Sequence, residues 1–149
     1  MSSLPSRTRA LTELRSLAEL ALFVRVAAFA AIVPALMRAP LPRLASLLTR
    51  PPRRQPPDAA EIERLARLVS LAPRIAQPVV RSGCLTRGLT LFWFLRRAGL
   101  DVERRFGLDP GGAQPTDGHC WLTLDGEPYL EQRDPRERFS ETYRLPLPV

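Results

Sequence analysis

Lysine is missing altogether: all 22 basic residues among the 149 are arginine, histidine occurs once and cysteine twice. Each scarcity excludes something. Two cysteines without a clear secretory leader do not make a disulfide framework, which favours the cytoplasm. One histidine and two cysteines give no zinc-finger spacing, and no aromatic-interleaved RNA signature accompanies the arginines. A net charge of +7 and a pI near 11 therefore do not by themselves indicate a nucleic-acid partner. The arginines are scattered, with doublets at Arg53-Arg54, Arg96-Arg97 and Arg104-Arg105. A solvated basic surface that attracts an acidic peptide accounts for them equally well. Gly111-Gly112 lacks the lysine and the following helix of a phosphate-cradling loop, and no cofactor is expected.

A long uninterrupted apolar run is also missing. The segment Leu17 to Met37 is broken by Glu19 and Arg25, and the remainder from Val26 is shorter than the roughly 20 residues a membrane span needs. A buried or membrane-surface helix is the expectation, not a span or a signal segment.

What is present, 45% apolar and 25% charged residues, suits one packed globular core. Helical spacing extends over about residues 8–37, with Pro34 expected to kink or end it, and over a shorter piece near Pro42 to Thr49. The run Pro51-Pro52-Arg53-Arg54-Gln55-Pro56-Pro57 cannot continue a helix, because proline lacks an N–H and restricts the residue before it. The chain thus divides into a helical N-terminal extension (1–50), a linker (51–57) and a main domain (58–149). Asp58 with Glu61 resembles a capping box, and Ile62, Leu65, Val69 and Ala72 then share one face of a helix over about 58–72.

A second helix is expected from Cys84 to Ala98, with Gly99 as its stop. Leu85, Leu89, Phe92 and Leu95 form one stripe, and Leu91, Trp93 and Phe94 make its second half apolar nearly all round, so it belongs inside the domain. Val102, Arg104 and Phe106 then alternate with Glu103, Arg105 and Gly107 as in a strand. The loop 109–117 leads to a hairpin carrying Gly118-His119-Cys120-Trp121 and, on its return, Glu131.

A thiol at a helix N-terminus, a histidine on one strand and a carboxylate on the next are the parts of a cysteine-nucleophile triad. A free thiol near pKa 8.5 is mostly protonated at neutral pH. The positive end of a helix dipole and a histidine partner both favour the thiolate. His119 would take the proton of Cys84 and later protonate the leaving amine. Glu131 would hold the imidazole tautomer, and backbone N–H groups around Cys84 would stabilise the oxyanion. Arg87, one turn into the helix, either adds positive potential or faces solvent.

Whether Glu131 reaches His119 depends on the turn. A two-residue Asp125-Gly126 loop would set Glu131 opposite Cys120, pointing away from the imidazole. A three-residue Leu124-Asp125-Gly126 loop would set it opposite His119 and bring Trp121 to face Tyr129, a cross-strand aromatic pair that favours this second register. Taken singly, each residue has a plainer account: a buried thiol, a structural histidine, an exposed strand carboxylate. A metal site at Cys84, His119 and Cys120 is weak, since adjacent strand residues point to opposite faces and a fourth ligand is missing. A Cys84–Cys120 disulfide has no support from the compartment.

The stretches Cys84-Leu85-Thr86-Arg87-Gly88-Leu89-Thr90-Leu91-Phe92-Trp93-Phe94-Leu95-Arg96-Arg97-Ala98-Gly99-Leu100 and Gly118-His119-Cys120-Trp121-Leu122-Thr123-Leu124-Asp125-Gly126-Glu127-Pro128-Tyr129-Leu130-Glu131 resemble the leader peptidases of lasso-peptide biosynthesis. These transglutaminase-like proteins are the protease half of a split maturation protein, and the likeness covers about residues 58–145. It implies an α+β, papain/transglutaminase-like fold, with the nucleophile at Cys84, the base at His119 and the acid at Glu131. It also implies a ribosomal precursor peptide as substrate, a separate leader-recognition protein, and an ATP-using macrolactam synthetase that receives the core peptide. Two positions depart from the family pattern. Its acid is usually aspartate, which keeps Asp125 and Asp134 as alternatives to Glu131, and Cys120 stands where a small alanine is common. Two other functions remain open on this reading: acyl transfer on the same fold, and a non-enzymatic scaffold that binds a peptide or membrane.

Overall fold

The computed structural model describes residues 16–49, 55–81, 83–114 and 117–146. The start of the expected 8–37 helix and residues 51–54 of the proline tract lie outside them. Helix α1 (Leu17–Leu36) begins where the Ser16 hydroxyl accepts from the Glu19 N–H, and it runs through Pro34 for one further half-turn. By length and composition α1 could cross a membrane. In the fold, its inner face of Phe23, Val26, Ala30 and Val33 is buried, and Glu19 pairs with Arg67.

Helix α2 (Leu41–Leu48) adds Leu44, Ala45 and Leu48 to the core. Helix α3 (Ala59–Ile75) is capped by Asp58, whose Oδ1 accepts from Glu61 N–H at 2.7 Å, and it continues through Pro73 beyond the expected end at 72. Helix α4 (Cys84–Ala98) stops at Gly99 in the left-handed conformation (φ 116°), with Leu100 N–H bonded back to the Leu95 carbonyl at 2.9 Å.

Four antiparallel strands follow: β1 (Glu103–Leu108), β2 (Gly118–Leu124), β3 (Glu127–Tyr129) and β4 (Ser140–Leu145), in the order β3-β2-β1-β4. The architecture is α+β. Helix α4 lies on β1 and β2, while α1 and α3 pack on α4 and on each other. Leu89, Phe92 and Leu95 are wholly buried in this layer, each contributing about 1.5–3 kcal/mol of burial. Phe29 of α1 stacks on Trp93 at 5.1 Å and meets Phe94 edge-on at 5.9 Å, which ties α1 to the nearly all-apolar half of α4.

Strand β4 has no counterpart in the sequence reading. It covers the free edge of β1, with Phe106 opposite Tyr143 and Arg104 opposite Leu145. Its first three residues are exposed, the next two half-buried and only Leu145 buried, so no inward–outward alternation marks it.

The hairpin takes the register that the sequence reading disfavoured. Leu122 pairs with Tyr129, Thr123 with Pro128 and Leu124 with Glu127, leaving Asp125-Gly126 as a two-residue loop. Both loop residues have positive φ (52° and 84°), the turn whose twist matches the flanking strands and which Asp-Gly accommodates best. Trp121 does not face Tyr129. It packs instead over Gly107 of β1, where an added Cβ would come within 2.9 Å of the indole.

Candidate active site

Cys84 is the first residue of α4 and is half-buried. His119 is the main cause that holds the Cys84 pKa below the ordinary thiol value, helped by the backbone N–H groups of Cys120 and Leu85. Burial pulls the other way and loses. His119 is pushed up to about 9 by Cys84 first and by Glu131 second, again against burial. A thiolate beside an imidazolium is the form both shifts favour. Trp121 and Phe139 flank the imidazole, with ring centroids 6.1 and 5.2 Å away.

Glu131 does reach His119, although the observed register should turn it away: Oε2 lies 3.3 Å from Nε2. The strand ends at Tyr129, and Leu130 then adopts φ 57°, which breaks the alternation before Glu131. With Nε2 facing Glu131, Nδ1 is the ring nitrogen that the carboxylate does not engage. The other carboxylate oxygen, Oε1, lies 3.2 Å from Arg87 Nη1, while Arg87 Nη2 donates to the Leu130 carbonyl at 2.7 Å. Arg87 therefore does not simply face solvent.

The two alternative acids are placed differently. Asp125 is exposed in the hairpin turn. Asp134 accepts from the Arg136 N–H at 2.9 Å and from its guanidinium, capping a short 3-10 turn (Pro135–Glu137).

Cys120 is wholly buried and behaves unlike Cys84. Burial pushes its thiol up, and its sulfur accepts from Arg104 Nε at 3.0 Å. Both cysteines are free. Arg104 is itself wholly buried, reaching Tyr143 through Nη2 at 3.4 Å, and its Nη1 has no hydrogen-bond partner among the described residues. A buried cation beneath Cys120 was not foreseen. The signal lay in the strand phase, which puts Arg104 on the same inward side as Val102.

A cleft of about 590 Å³ opens beside the imidazole, lined by Arg87, His119, Glu131, Arg133, Arg138 and Phe139 among others. A smaller cavity of about 260 Å³ adjoins the start of α4, with Val69, Pro73, Val80, Gly83 and Thr86 in its wall. Among the described residues, no group of three or more His, Cys, Asp or Glu is placed to hold a metal ion.

A helix that begins at a half-buried thiol, laid on an antiparallel sheet that supplies the imidazole, defines an α+β domain of the papain and transglutaminase type. The chain belongs to the transglutaminase-like superfamily, whose family model matches residues 20–144. Cysteine-protease or acyltransferase chemistry is typical of that superfamily. The matched span starts inside α1 and so takes in the N-terminal helices. No curated protein and no solved structure matches the chain.

Proposed function

We propose that this protein is a cysteine peptidase that removes the leader from a ribosomally made lasso-peptide precursor through an acyl-enzyme. The observation that supports it most is the 3.3 Å contact of Glu131 with His119, the residue that in turn does most to lower the pKa of Cys84 at the start of α4. In this reading the Cys84 thiolate attacks the scissile carbonyl carbon, and backbone N–H groups at the start of α4 receive the developing oxyanion. His119 gives its proton to the departing amine. It then takes a proton from water, which cleaves the thioester and releases the leader carboxylate. Glu131 keeps the imidazole oriented with Nδ1 toward sulfur.

The substrate assignment draws on the resemblance of both motif stretches, 84–100 and 118–131, to the lasso leader peptidases. A net charge of +7 suits an acidic peptide. A separate recognition protein would hold the leader, the core would pass to a macrolactam synthetase, and the reaction would take place in the cytoplasm. The outward Leu17, Leu20, Val24 and Ile32 of α1 suit peripheral membrane contact.

The test is to incubate the protein and its recognition partner with the precursor and weigh the products. Two fragments whose masses sum to precursor plus water are expected, and an amide adduct with an added amine would instead indicate acyl transfer. Normal cleavage by Cys84→Ala would sink the assignment.

A further inference from the structure

The chemistry above leaves Arg87 unused, yet its position is specific. It sits one turn into α4 from Cys84 and reaches out of the helix to two acceptors on consecutive residues, the Glu131 carboxylate at 3.2 Å and the Leu130 carbonyl at 2.7 Å. These residues lie just beyond the last paired position of β3, where the ladder no longer holds the backbone. They also include the left-handed residue that turns Glu131 toward the imidazole.

We propose that Arg87 is the positioning residue of this site: its guanidinium grips Glu131 and the Leu130 carbonyl together, tying the acid to the helix that carries the nucleophile. The proposal rests on Cys84, His119 and Glu131 acting as a triad. A planar guanidinium with two parallel N–H donors suits two acceptors in fixed geometry, which an ammonium does not reproduce. The carboxylate is shared: one oxygen faces Arg87 and the other His119. Holding one oxygen fixes where the second can be.

Two effects of removing Arg87 oppose each other, and that makes the role measurable. If Arg87 acted only as a nearby positive charge, its loss would stabilise the imidazolium and raise the His119 titration midpoint. If it holds Glu131 in place, its loss frees the carboxylate, weakens the Glu131–His119 bond and lowers the midpoint. The groups that raise the imidazole are Cys84 from α4 and Glu131 from the tail of β3. Trp121 and Phe139 beside it are uncharged, and Arg133, Asp134, Glu137 and Arg138 line the same cleft.

Because the chain has a single histidine, its imidazole proton resonances report one site without assignment ambiguity. Titrated by NMR, the unaltered protein should show a midpoint near 9. Arg87→Ala should lower it by about one unit, with the melting temperature showing the fold intact, and Arg87→Lys should recover only part of the shift. In a Glu131→Gln background, Arg87→Ala should produce no further lowering, since its effect passes through Glu131. An unchanged or raised midpoint in Arg87→Ala overturns the proposal, as does full recovery by lysine or an equal lowering in the Glu131→Gln background. The titration needs no substrate. A protein that titrates as expected but leaves every precursor uncut would therefore count against the peptidase reading and not against the role of Arg87.

Discussion

His119 and Glu131 meet at 3.3 Å although they are not cross-strand partners. The ladder pairs Leu122 with Tyr129, a register that places residue 131 in phase with Cys120. One residue reconciles the two facts. Leu130, at φ 57°, reverses the side on which the next side chain emerges.

That left-handed residue is the first point of test. Proline fixes φ near −65° and cannot take this conformation, whereas glycine takes it without steric cost. Leu130→Pro should abolish turnover. Leu130→Gly should keep a measurable part of it, losing mainly the packing of the leucine side chain against the core. Rates measured beside circular dichroism would decide, and wild-type turnover in the proline variant would reject the role given to this bend.

Cys84, His119 and Glu131 should respond unequally to substitution. Cys84→Ala and His119→Ala should remove precursor cleavage while leaving a folded protein. Glu131→Gln should lower kcat at least about tenfold, because the amide no longer carries the charge that stabilises the imidazolium. Asp125→Asn should leave kcat unchanged, since asparagine also tolerates the left-handed turn position and Asp125 is exposed in that turn. The reverse ordering of the two acids would remove Glu131 from the site.

The pH dependence follows from the two opposed shifts. Cys84 lies below its ordinary value, so alkylation of this thiol by iodoacetamide should already be fast near neutral pH, and mass spectrometry should find the label on Cys84 and not on buried Cys120. His119 is raised to about 9, so it remains an acid at neutral pH and loses that proton as pH rises through about 9. Peptide turnover should therefore fall along an alkaline limb there. Glu131→Gln, by removing a group that raises His119, should move that limb to lower pH. A limb unaffected by the substitution would contradict the assignment.

Gly88 and Cys120 define a separate packing constraint between α4 and β2. A Cβ at Gly88 would come 2.6 Å from the Cys120 sulfur, closer than any real contact allows. Gly88→Ala should thus destabilise the fold by about 1–3 kcal/mol, despite the better helix propensity of alanine. The same change in a Cys120→Ala background should cost clearly less, and chemical denaturation of the four proteins in the cycle measures the difference. Equal costs in both backgrounds would place the strain elsewhere.

Much of the frame was legible locally. Asp58 and Glu61 marked the start of α3, Gly99 marked the end of α4, and the apolar second half of α4 announced its central position, because caps and periodicity act over a few residues. Strand β4 was not legible. Its partner β1 lies more than thirty residues away, and its exposed first half shows no alternation to betray it. The hairpin register was misread for a related reason: a Trp121–Tyr129 contact looked favourable between two strands alone, but β1 offers Trp121 a glycine floor at Gly107 that a two-strand view does not contain.

By itself, the sequence determined that a cysteine would stand at the start of a buried helix and that the lone histidine would stand at the head of a strand, since both placements follow from short-range turn, cap and periodicity rules. Only the tertiary structure decided which acid meets the histidine and what holds it there. The bend at Leu130 and the reach of Arg87 from α4 depend on how separate elements pack, and no local pattern encodes the distance between them.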